Sequence, residues 1–205
     1  GVGNTPSIAS DIRITTLRAD YQEIERRCHG MAGMLTRAST AHVTAPAGTN
    51  LLLDIAGRSG RPSSGVFTAP GAFGNLPGGE SYVAPVEGKA NGTLVIDASS
   101  MDPGAEAQKP DEPTIIEVRD GLAQTIEGTG AQALQGIFSE VGIGARNIAE
   151  LGIGTNPETR LSGNILESEK VAGTAHVALG NSLHSGGTVD VPFHLDGVIS
   201  HPTVI

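Results

Sequence analysis

The hydrophobic pattern of residues 17–37, LRADYQEIERRCHGMAGMLTR, has the period of an α-helix. Its apolar positions recur every three or four residues, at Tyr21, Ile24, Cys28, Met31 and Leu35. Charged side chains occupy most of the other side, as in an amphipathic helix that buries one face against a core. We therefore predict an N-terminal helix over residues 17–37, preceded by an irregular or extended lead-in at residues 1–16.

From residue 41 onward the apolar residues cluster in short runs that are typical of β-strands. Asn91-Gly92 stands between SYVAPVEG and TLVIDAS, and Asp120-Gly121 divides TIIEVRDGLAQTIEG. Such dipeptides favour tight two-residue turns, so each pair of flanking runs is predicted to form a β-hairpin. A second helix is predicted near residues 130–141, and three more short strands follow it.

The order of these elements predicts an α+β fold, with mostly antiparallel β-sheet, an N-terminal helix and a second helix near residues 130–141. Residues 57–79 and 101–112, which are rich in Gly, Ser, Pro or charged residues, are predicted to be loops. A chain of 205 residues is long enough to bury a core. We predict a single domain over residues 17–205, after the lead-in at residues 1–16.

Composition argues against several classes of function. The chain has 13 Lys and Arg against 22 Asp and Glu, a net charge of −9, whereas a nucleic-acid surface needs clustered basic residues. Its apolar runs are shorter than the roughly 18–20 residues that span a membrane. Cys28 is the one cysteine, so no internal disulfide can form, and a reducing, cytoplasmic location is predicted.

Candidate metal ligands are spread over the later part of the chain. They are three carboxylates and two imidazoles, at Glu80, Glu150, His176, His194 and Asp196. Such groups are the usual ligands of one or two divalent metals, among them zinc, cobalt, manganese and ferrous iron. Since side chains two positions apart on a strand share one face, His194 and Asp196 can reach one ion.

Each of these residues also has a structural interpretation. His176 lies in the apolar run TAHVALG and could be a buried, hydrogen-bonded histidine. Glu150 could be neutralised by an arginine such as Arg146, and Glu80 could be a solvated loop carboxylate. His194 and Asp196 could form a cross-strand polar pair. The metal-site interpretation therefore depends on whether the five side chains converge in the folded chain.

Several blocks of this sequence, punctuated by Gly and Pro, resemble the signature of a known family. In chain order they are GNLPGGESYVAPVEGKANGTLVID, AELGIGTNP, GNILESEKVAGTAHVALG and FHLDGV. They are similar to blocks of the thermophilic metallo-aminopeptidase family, which includes aminopeptidase T, aminopeptidase S and leucyl aminopeptidase-like relatives. The resemblance spans residues 17–205 and implies a metal-binding catalytic domain that forms a homodimer. In that family an N-terminal α/β domain precedes it, and most of that domain has no counterpart in these residues.

The resemblance also implies roles for particular residues. The residues that match the family's ligands for a pair of divalent ions (zinc, cobalt or manganese) are Glu80, Glu150, His176, His194 and Asp196. Glu80 or Glu150 would act as the base that activates water, and the implied activity is hydrolytic removal of N-terminal residues from peptides. One position departs from the family, because the catalytic tyrosine expected seven residues after His176 is Leu183. The neighbouring His184 is the candidate to replace it as a proton donor.

Two other functions are compatible with the same residues. Two histidines and a carboxylate can hold one ferrous ion for oxygen chemistry, and ring-cleaving dioxygenases of dihydroxypyridines resemble the same fold family. Such a mononuclear non-haem iron enzyme, acting on a small molecule, is favoured by the missing tyrosine and opposed by the presence of both Glu80 and Glu150. The third alternative is an inactive, truncated paralogue.

Overall fold

The computed structural model describes residues 2–4 and 18–205. Most of the predicted lead-in, residues 5–16, therefore lies outside the described residues. Val2–Asn4 of that lead-in form a strand, which agrees with an extended conformation there. Among the described helices, none is long and apolar enough to cross a membrane.

The first long element is helix α1, Tyr21–Arg37. It begins after Asp20, whose side chain accepts hydrogen bonds from the backbone N–H groups of Gln22 and Glu23, both at 3.1 Å. Such a cap satisfies N–H groups that have no partner inside the helix. The buried residues of α1 are Ile24, Cys28, Ala32 and Leu35. The predicted N-terminal helix is confirmed, although it begins at Tyr21 rather than at residue 17.

The strands of the described residues form three sheets. The six-stranded sheet contains, in spatial order, Thr203–Val204 (β13), Thr40–Thr44 (β2), Asn50–Asp54 (β3), Asn91–Ile96 (β7), Thr114–Arg119 (β8) and Leu122–Glu127 (β9). The five-stranded sheet contains His194–Ser200 (β12), Thr174–Gly180 (β11), Ile148–Gly154 (β10), Glu80–Val83 (β6) and Arg61–Ser63 (β4). Pairing within both large sheets is antiparallel. The third sheet pairs Val2–Asn4 (β1) in parallel with Phe73–Asn75 (β5).

Three further helical segments accompany the sheets. The second predicted helix is confirmed as Ala131–Val141 (α2), which buries Leu134 and Phe138. A 3₁₀ helix at Ile143–Arg146 and the short helix Ile165–Ser168 (α3) were not predicted, because four residues are too few to produce a helical period. The mainly antiparallel sheets and these helices confirm the predicted α+β class.

One hydrophobic core joins the two large sheets, α1, α2 and the 3₁₀ helix. It includes Leu53 and Ile116 from the six-stranded sheet, Leu151 and Val177 from the five-stranded sheet, and Leu35 from α1. Because successive residues of a strand point to opposite faces, the five-stranded sheet packs one face against this core. Its other face carries the polar residues that alternate with the core residues.

One of the two predicted hairpins is wrong. Strand β6 pairs with β4 and β10, whereas β7 pairs with β3 and β8 in the other large sheet. Gly92 serves strand packing rather than a turn, because a Cβ there would lie 2.1 Å from the carbonyl oxygen of Asn50. The Asp120-Gly121 hairpin is confirmed, since these two residues join β8 to β9 with φ values of 50° and 75°.

The loop predictions are correct for residues 101–112 and wrong in part for residues 57–79. The second segment contains β4 and β5, each of three residues. A strand of that length is too short for an alternating pattern to be visible in the sequence. Strand β4 nevertheless extends the five-stranded sheet beyond β6 and so forms its edge.

Candidate metal centre

The predicted metal ligands lie on four neighbouring strands of the five-stranded sheet. From β6 to β12 they are Glu80, Glu150, His176, His194 and Asp196. In the strand register Glu80 is opposite Gly154, and Asp196 is opposite Ala178. Opposed residues of an antiparallel pair project to the same side of a sheet. All five side chains therefore project from the face that is turned away from the core.

Small residues also occupy this face of the sheet. They are Gly152, Gly154, Ala178 and Gly180. Gly152 is directly opposite His176, and a Cβ at Gly152 would lie 2.0 Å from the imidazole ring. A larger residue at this position would displace His176. The register of β10 also shifts between Ile148 and Glu150, and such a β-bulge re-aims the side chain that follows it.

Glu150 makes most of the polar contacts in the cluster. Its side chain is buried, with Oε1 3.3 Å from His176 Nε2 and Oε2 2.9 Å from His184 Nε2. Ser185 Oγ donates a 2.5 Å hydrogen bond to Oε2. The structure thus brings His184, a catalytic candidate in the sequence analysis, into contact with the cluster. Arg146, the alternative partner for Glu150, donates its hydrogen bonds to backbone carbonyl groups elsewhere.

The ring of His194 is oriented by the backbone. Its Nδ1–H donates a hydrogen bond to the carbonyl oxygen of Asn181 at 2.8 Å, and since a carbonyl can only accept, Nδ1 carries a proton. The other nitrogen, Nε2, lies 3.4 Å from Asp196 Oδ1. The rings of His194 and His184 meet edge to face, with centroids 4.6 Å apart. Histidines that are held through Nδ1–H in this way commonly offer Nε2 to a metal.

A buried ion cluster that the sequence analysis missed adjoins Glu80. Lys170 is fully buried, and its Nζ lies 2.8 Å from Glu80 Oε1 and also contacts the carboxylate of Glu169. Glu80 Oε2 lies 3.4 Å from His176 Nε2. Burial raises the pKa of Glu169, and the charge of Lys170 opposes this rise. These two residues end the run ILESEK, whose charges resemble a solvated helix end, so the local pattern gives no signal of their burial.

The crowded carboxylates shift the pKa values of the histidines. Burial would lower the pKa of His176, but its hydrogen bond to Glu150 and the charges of other carboxylates raise it to about 9. Burial would also lower the pKa of His194, and the contact with Asp196 raises it to about 9. Despite its burial, Glu150 has a lowered pKa because His176 and His184 donate hydrogen bonds to it. The carboxylates on this face of the five-stranded sheet therefore favour positively charged groups beside them.

The donor set fits a divalent metal ion. Within the described residues, three groups each bring three ligand atoms within 4.8 Å of one another, namely Glu150 with His184 and His194, Glu150 with His176 and Asp196, and Glu80 with Glu169 and His176. Three buried atoms of the cluster have no hydrogen-bond partner, namely Glu80 Oε2, His176 Nδ1 and Asp196 Oδ1. A cation would satisfy such oxygens and balance the excess of carboxylates. The first group has two imidazoles and one carboxylate, which is the donor set of non-haem ferrous oxygenases.

A cavity of about 570 Å³ leads to this cluster. The residues of the cluster that line it include Glu80, Glu150, His184, His194 and Asp196. The chain has four phenylalanines, two tyrosines and no tryptophan, and three of these aromatic residues, Phe67, Phe73 and Tyr82, line the cavity. The ring centroid of Tyr82 lies 6.1 Å from that of His184. The cavity therefore combines aromatic side chains with a cluster of carboxylates and imidazoles, and small-molecule sites have the same mixture of apolar and polar groups.

Imidazoles and carboxylates that converge at the end of a cavity are typical of metal-dependent enzymes. The model of the NicX family, described as 2,5-dihydroxypyridine 5,6-dioxygenase, matches residues 14–204. Because this match covers most of the 205 residues, the chain belongs to that family. No curated protein matches the sequence.

Two solved structures are similar to this fold. The 2,5-dihydroxypyridine dioxygenase from Pseudomonas putida KT2440 has 20% sequence identity and a TM-score of 0.83, over 95% of this chain and 58% of that one. Wild-type AmpT from Thermus thermophilus has 18% identity and a TM-score of 0.74, over 95% of this chain and 53% of that one. The chain thus spans a little over half the length of each protein. At these identities the likeness shows a common fold.

The predicted main function, a dinuclear metallo-aminopeptidase, is wrong. The family match is to a dioxygenase rather than to a hydrolase, and it agrees with the alternative of a ring-cleaving dioxygenase. The likeness to an aminopeptidase is distant and concerns the fold. Nothing supports the predicted binding of two zinc, cobalt or manganese ions. Leu183 also stands at the position where the resemblance to the aminopeptidases predicts a catalytic tyrosine. A second histidine, His184, contacts Glu150 instead.

Proposed function

We propose that this chain carries the iron centre of a ring-cleaving dioxygenase that acts on dihydroxylated nitrogen heteroaromatics of the dihydroxypyridine type. The observation that carries the proposal is the group of Glu150, His184 and His194 in the lining of a cavity that three aromatic residues also line. Two imidazoles and one carboxylate hold ferrous iron while leaving coordination positions open. Membership of the NicX family supports the same reaction class.

Glu150, His184 and His194 would hold the ferrous ion, with His176 and Asp196 beside them. When bound, the ion supplies the electron-transfer chemistry through which dioxygen can react with a closed-shell aromatic ring. The protein's part is to orient the ligands. The backbone of residue 181 fixes the His194 ring through Nδ1–H, and a serine hydroxyl fixes one carboxylate oxygen of Glu150. Such outer contacts keep ligand atoms in position before the metal binds.

The cavity walls suit a flat aromatic substrate. Phe67, Phe73 and Tyr82 line it, and offset contacts between aromatic rings contribute about 0.5–1.5 kcal/mol beyond the area they bury. Burial and the charges of Glu150 and Glu80 raise the pKa of Tyr82, so its hydroxyl keeps its proton. It can therefore donate a hydrogen bond to a ring hydroxylate or a ring nitrogen. These contacts would orient the ring toward the metal ligands.

The test is anaerobic loading with ferrous iron, followed by addition of 2,5-dihydroxypyridine and oxygenated buffer. We expect loss of the ring absorbance, consumption of one dioxygen per substrate, and both atoms of ¹⁸O₂ in the product. Protein loaded with zinc should bind the same substrate without oxygen uptake. Iron-loaded protein that consumes no oxygen with any of a panel of dihydroxypyridines would contradict the proposal.

A further inference from the structure

The position of His184 is set by a loop rather than by packing in the core. Residues 181–193 connect β11 to β12, and the side chain of His184 is 50% exposed. Its Nε2 is nevertheless 2.9 Å from Glu150, and the next residue, Ser185, donates a hydrogen bond to the same carboxylate. The backbone N–H of Ala84 also donates to the carbonyl oxygen of Ser185 at 3.2 Å. Whatever fixes this loop therefore fixes a proposed metal ligand.

Two side chains from other parts of the chain hold the loop. Arg58, from the segment after β3, donates through Nη1 to the Gly186 carbonyl oxygen at 2.6 Å. Glu87, from the segment after β6, accepts the backbone N–H of Thr188 through Oε1 at 2.7 Å. A Cβ at Gly187 would lie 2.8 Å from the same oxygen, so the loop backbone approaches Glu87 closely. Arg58 and Glu87, which we call the clamp, thus bind the turn that follows His184 at two backbone positions, Gly186 and Thr188.

Arg58 and Glu87 also bind each other, through Nη2 and Oε2. Their side chains are 16% and 27% exposed, so the pair is largely removed from water. Burial would raise the pKa of Glu87, but hydrogen bonds from backbone groups and the charge of Arg58 lower it, which keeps the pair charged. A shielded ion pair that also bonds to backbone groups is more rigid than a pair on the surface. Among the described residues, no hydrogen bond or ion pair joins Arg58 or Glu87 directly to a proposed metal ligand.

We propose that Arg58 and Glu87 are positioning residues that hold the turn at residues 184–188 and thereby set the coordination geometry of His184 against Glu150. This inference rests on the proposed metal centre. It assigns a role in metal binding to a pair that lies outside the cavity. Outer residues that orient metal ligands typically change metal affinity by about 10- to 100-fold when they are replaced.

The test uses Co²⁺ as the probe, because its visible spectrum reports coordination geometry without any turnover. In Arg58→Ala we expect Co²⁺ to bind about 10- to 100-fold more weakly, with altered visible bands at full loading. Arg58→Lys should recover part of the affinity, because a lysine can still reach one partner. Glu87→Gln, which keeps its size, should shift affinity in the same direction. Arg26→Ala is the matched control, because Arg26 forms an exposed ion pair with Glu23 on α1.

A double-mutant cycle then decides whether the clamp acts through His184. In a His184→Ala background, Arg58→Ala should cause no further loss of Co²⁺ affinity, since the positioned group is gone. Fully additive losses would overturn the inference, and so would wild-type Co²⁺ affinity and bands in both Arg58→Ala and Glu87→Gln. If Arg58→Ala does not fold, Glu87→Gln alone decides by the same criteria. Failure of ring cleavage in the wild type would contradict the proposed function, but it would not change the Co²⁺ affinities that test the role of Arg58 and Glu87.

Discussion

At the scale of single residues, Lys170 is the least expected feature of the site. Its ammonium is fully buried between Glu80 and Glu169. Burial would lower its pKa, but the charges of Glu169 and Glu80 raise it, so the side chain stays charged. A buried cation that joins two carboxylates keeps them in place beside the proposed metal ligands.

We predict that Lys170→Met destabilises the protein by about 3–5 kcal/mol, because two buried carboxylates lose their positive partner. The measurement is the free energy of unfolding in urea. The matched control is Lys89→Met, since Lys89 is exposed and should tolerate the change. Equal stability of both variants would mean that the cluster at Lys170 is dispensable for the fold.

The second prediction at this scale concerns His194, whose ring is fixed by the carbonyl of Asn181. His194→Ala should reduce bound iron or cobalt from about one ion per chain to nearly none, while the protein stays folded. Metal content is read by mass spectrometry after desalting. His42→Ala is the control, because His42 is exposed on β2 and bonds to Asn50. Full metal content in His194→Ala would remove this residue from the ligand set.

At the scale of secondary-structure elements, the site depends on the close pairing of β10 with β11. Gly152 leaves the space that the His176 ring fills. The two predicted hairpins differ in the same respect, because one depends on neighbouring residues and the other on a contact between distant strands. The turn at Asp120-Gly121 is a local feature, and local sequence predicts it. Gly92 meets Asn50 on another strand, a long-range contact that neighbouring residues do not encode.

We predict that Gly152→Ala costs about 1–3 kcal/mol of stability, because the new methyl group would overlap the His176 ring. It should also weaken Co²⁺ binding if His176 helps to hold the metal. Gly136→Ala in α2 is the matched control, because nothing lies within 4 Å of its added Cβ. Gly136→Ala should be slightly more stable than the wild type, since alanine has a higher helix propensity than glycine. Normal stability and metal binding in Gly152→Ala would show that the strands relax around the added group.

At the scale of the whole molecule, the sequence predicts the fold better than the reaction. The α+β class, both long helices and the convergence of Glu80, Glu150 and His176 follow from local patterns and the stated resemblance. The clamp, the buried lysine and the orientation of His194 depend on segments far apart in sequence, so no local pattern encodes them. The reaction was mispredicted because imidazoles and carboxylates serve both hydrolysis and oxygen chemistry.

The proposed metal site takes its residues from strands β10, β11 and β12 and from the loop between β11 and β12, so it exists only when the five-stranded sheet is folded. Metal that binds only the folded state adds to stability, by about 2.7 kcal/mol at a concentration 100 times the Kd. We predict that the melting temperature rises steadily with Co²⁺ or Fe²⁺ concentration and falls when a chelator is added. Calorimetry measures the shift. A melting temperature that is independent of both additions would contradict a metal centre in the folded chain.

The scarcity of aromatic residues gives the protein a built-in optical reporter. Without tryptophan, its near-ultraviolet emission comes from Tyr21 and Tyr82 alone. Tyr82 lines the cavity and lies 6.1 Å from His184 between ring centroids, close enough for a paramagnetic ion or a bound chromophore to quench it. In a Tyr21→Phe variant, the remaining fluorescence would report events in the cavity directly, and metal loading and ligand binding could be followed without any label.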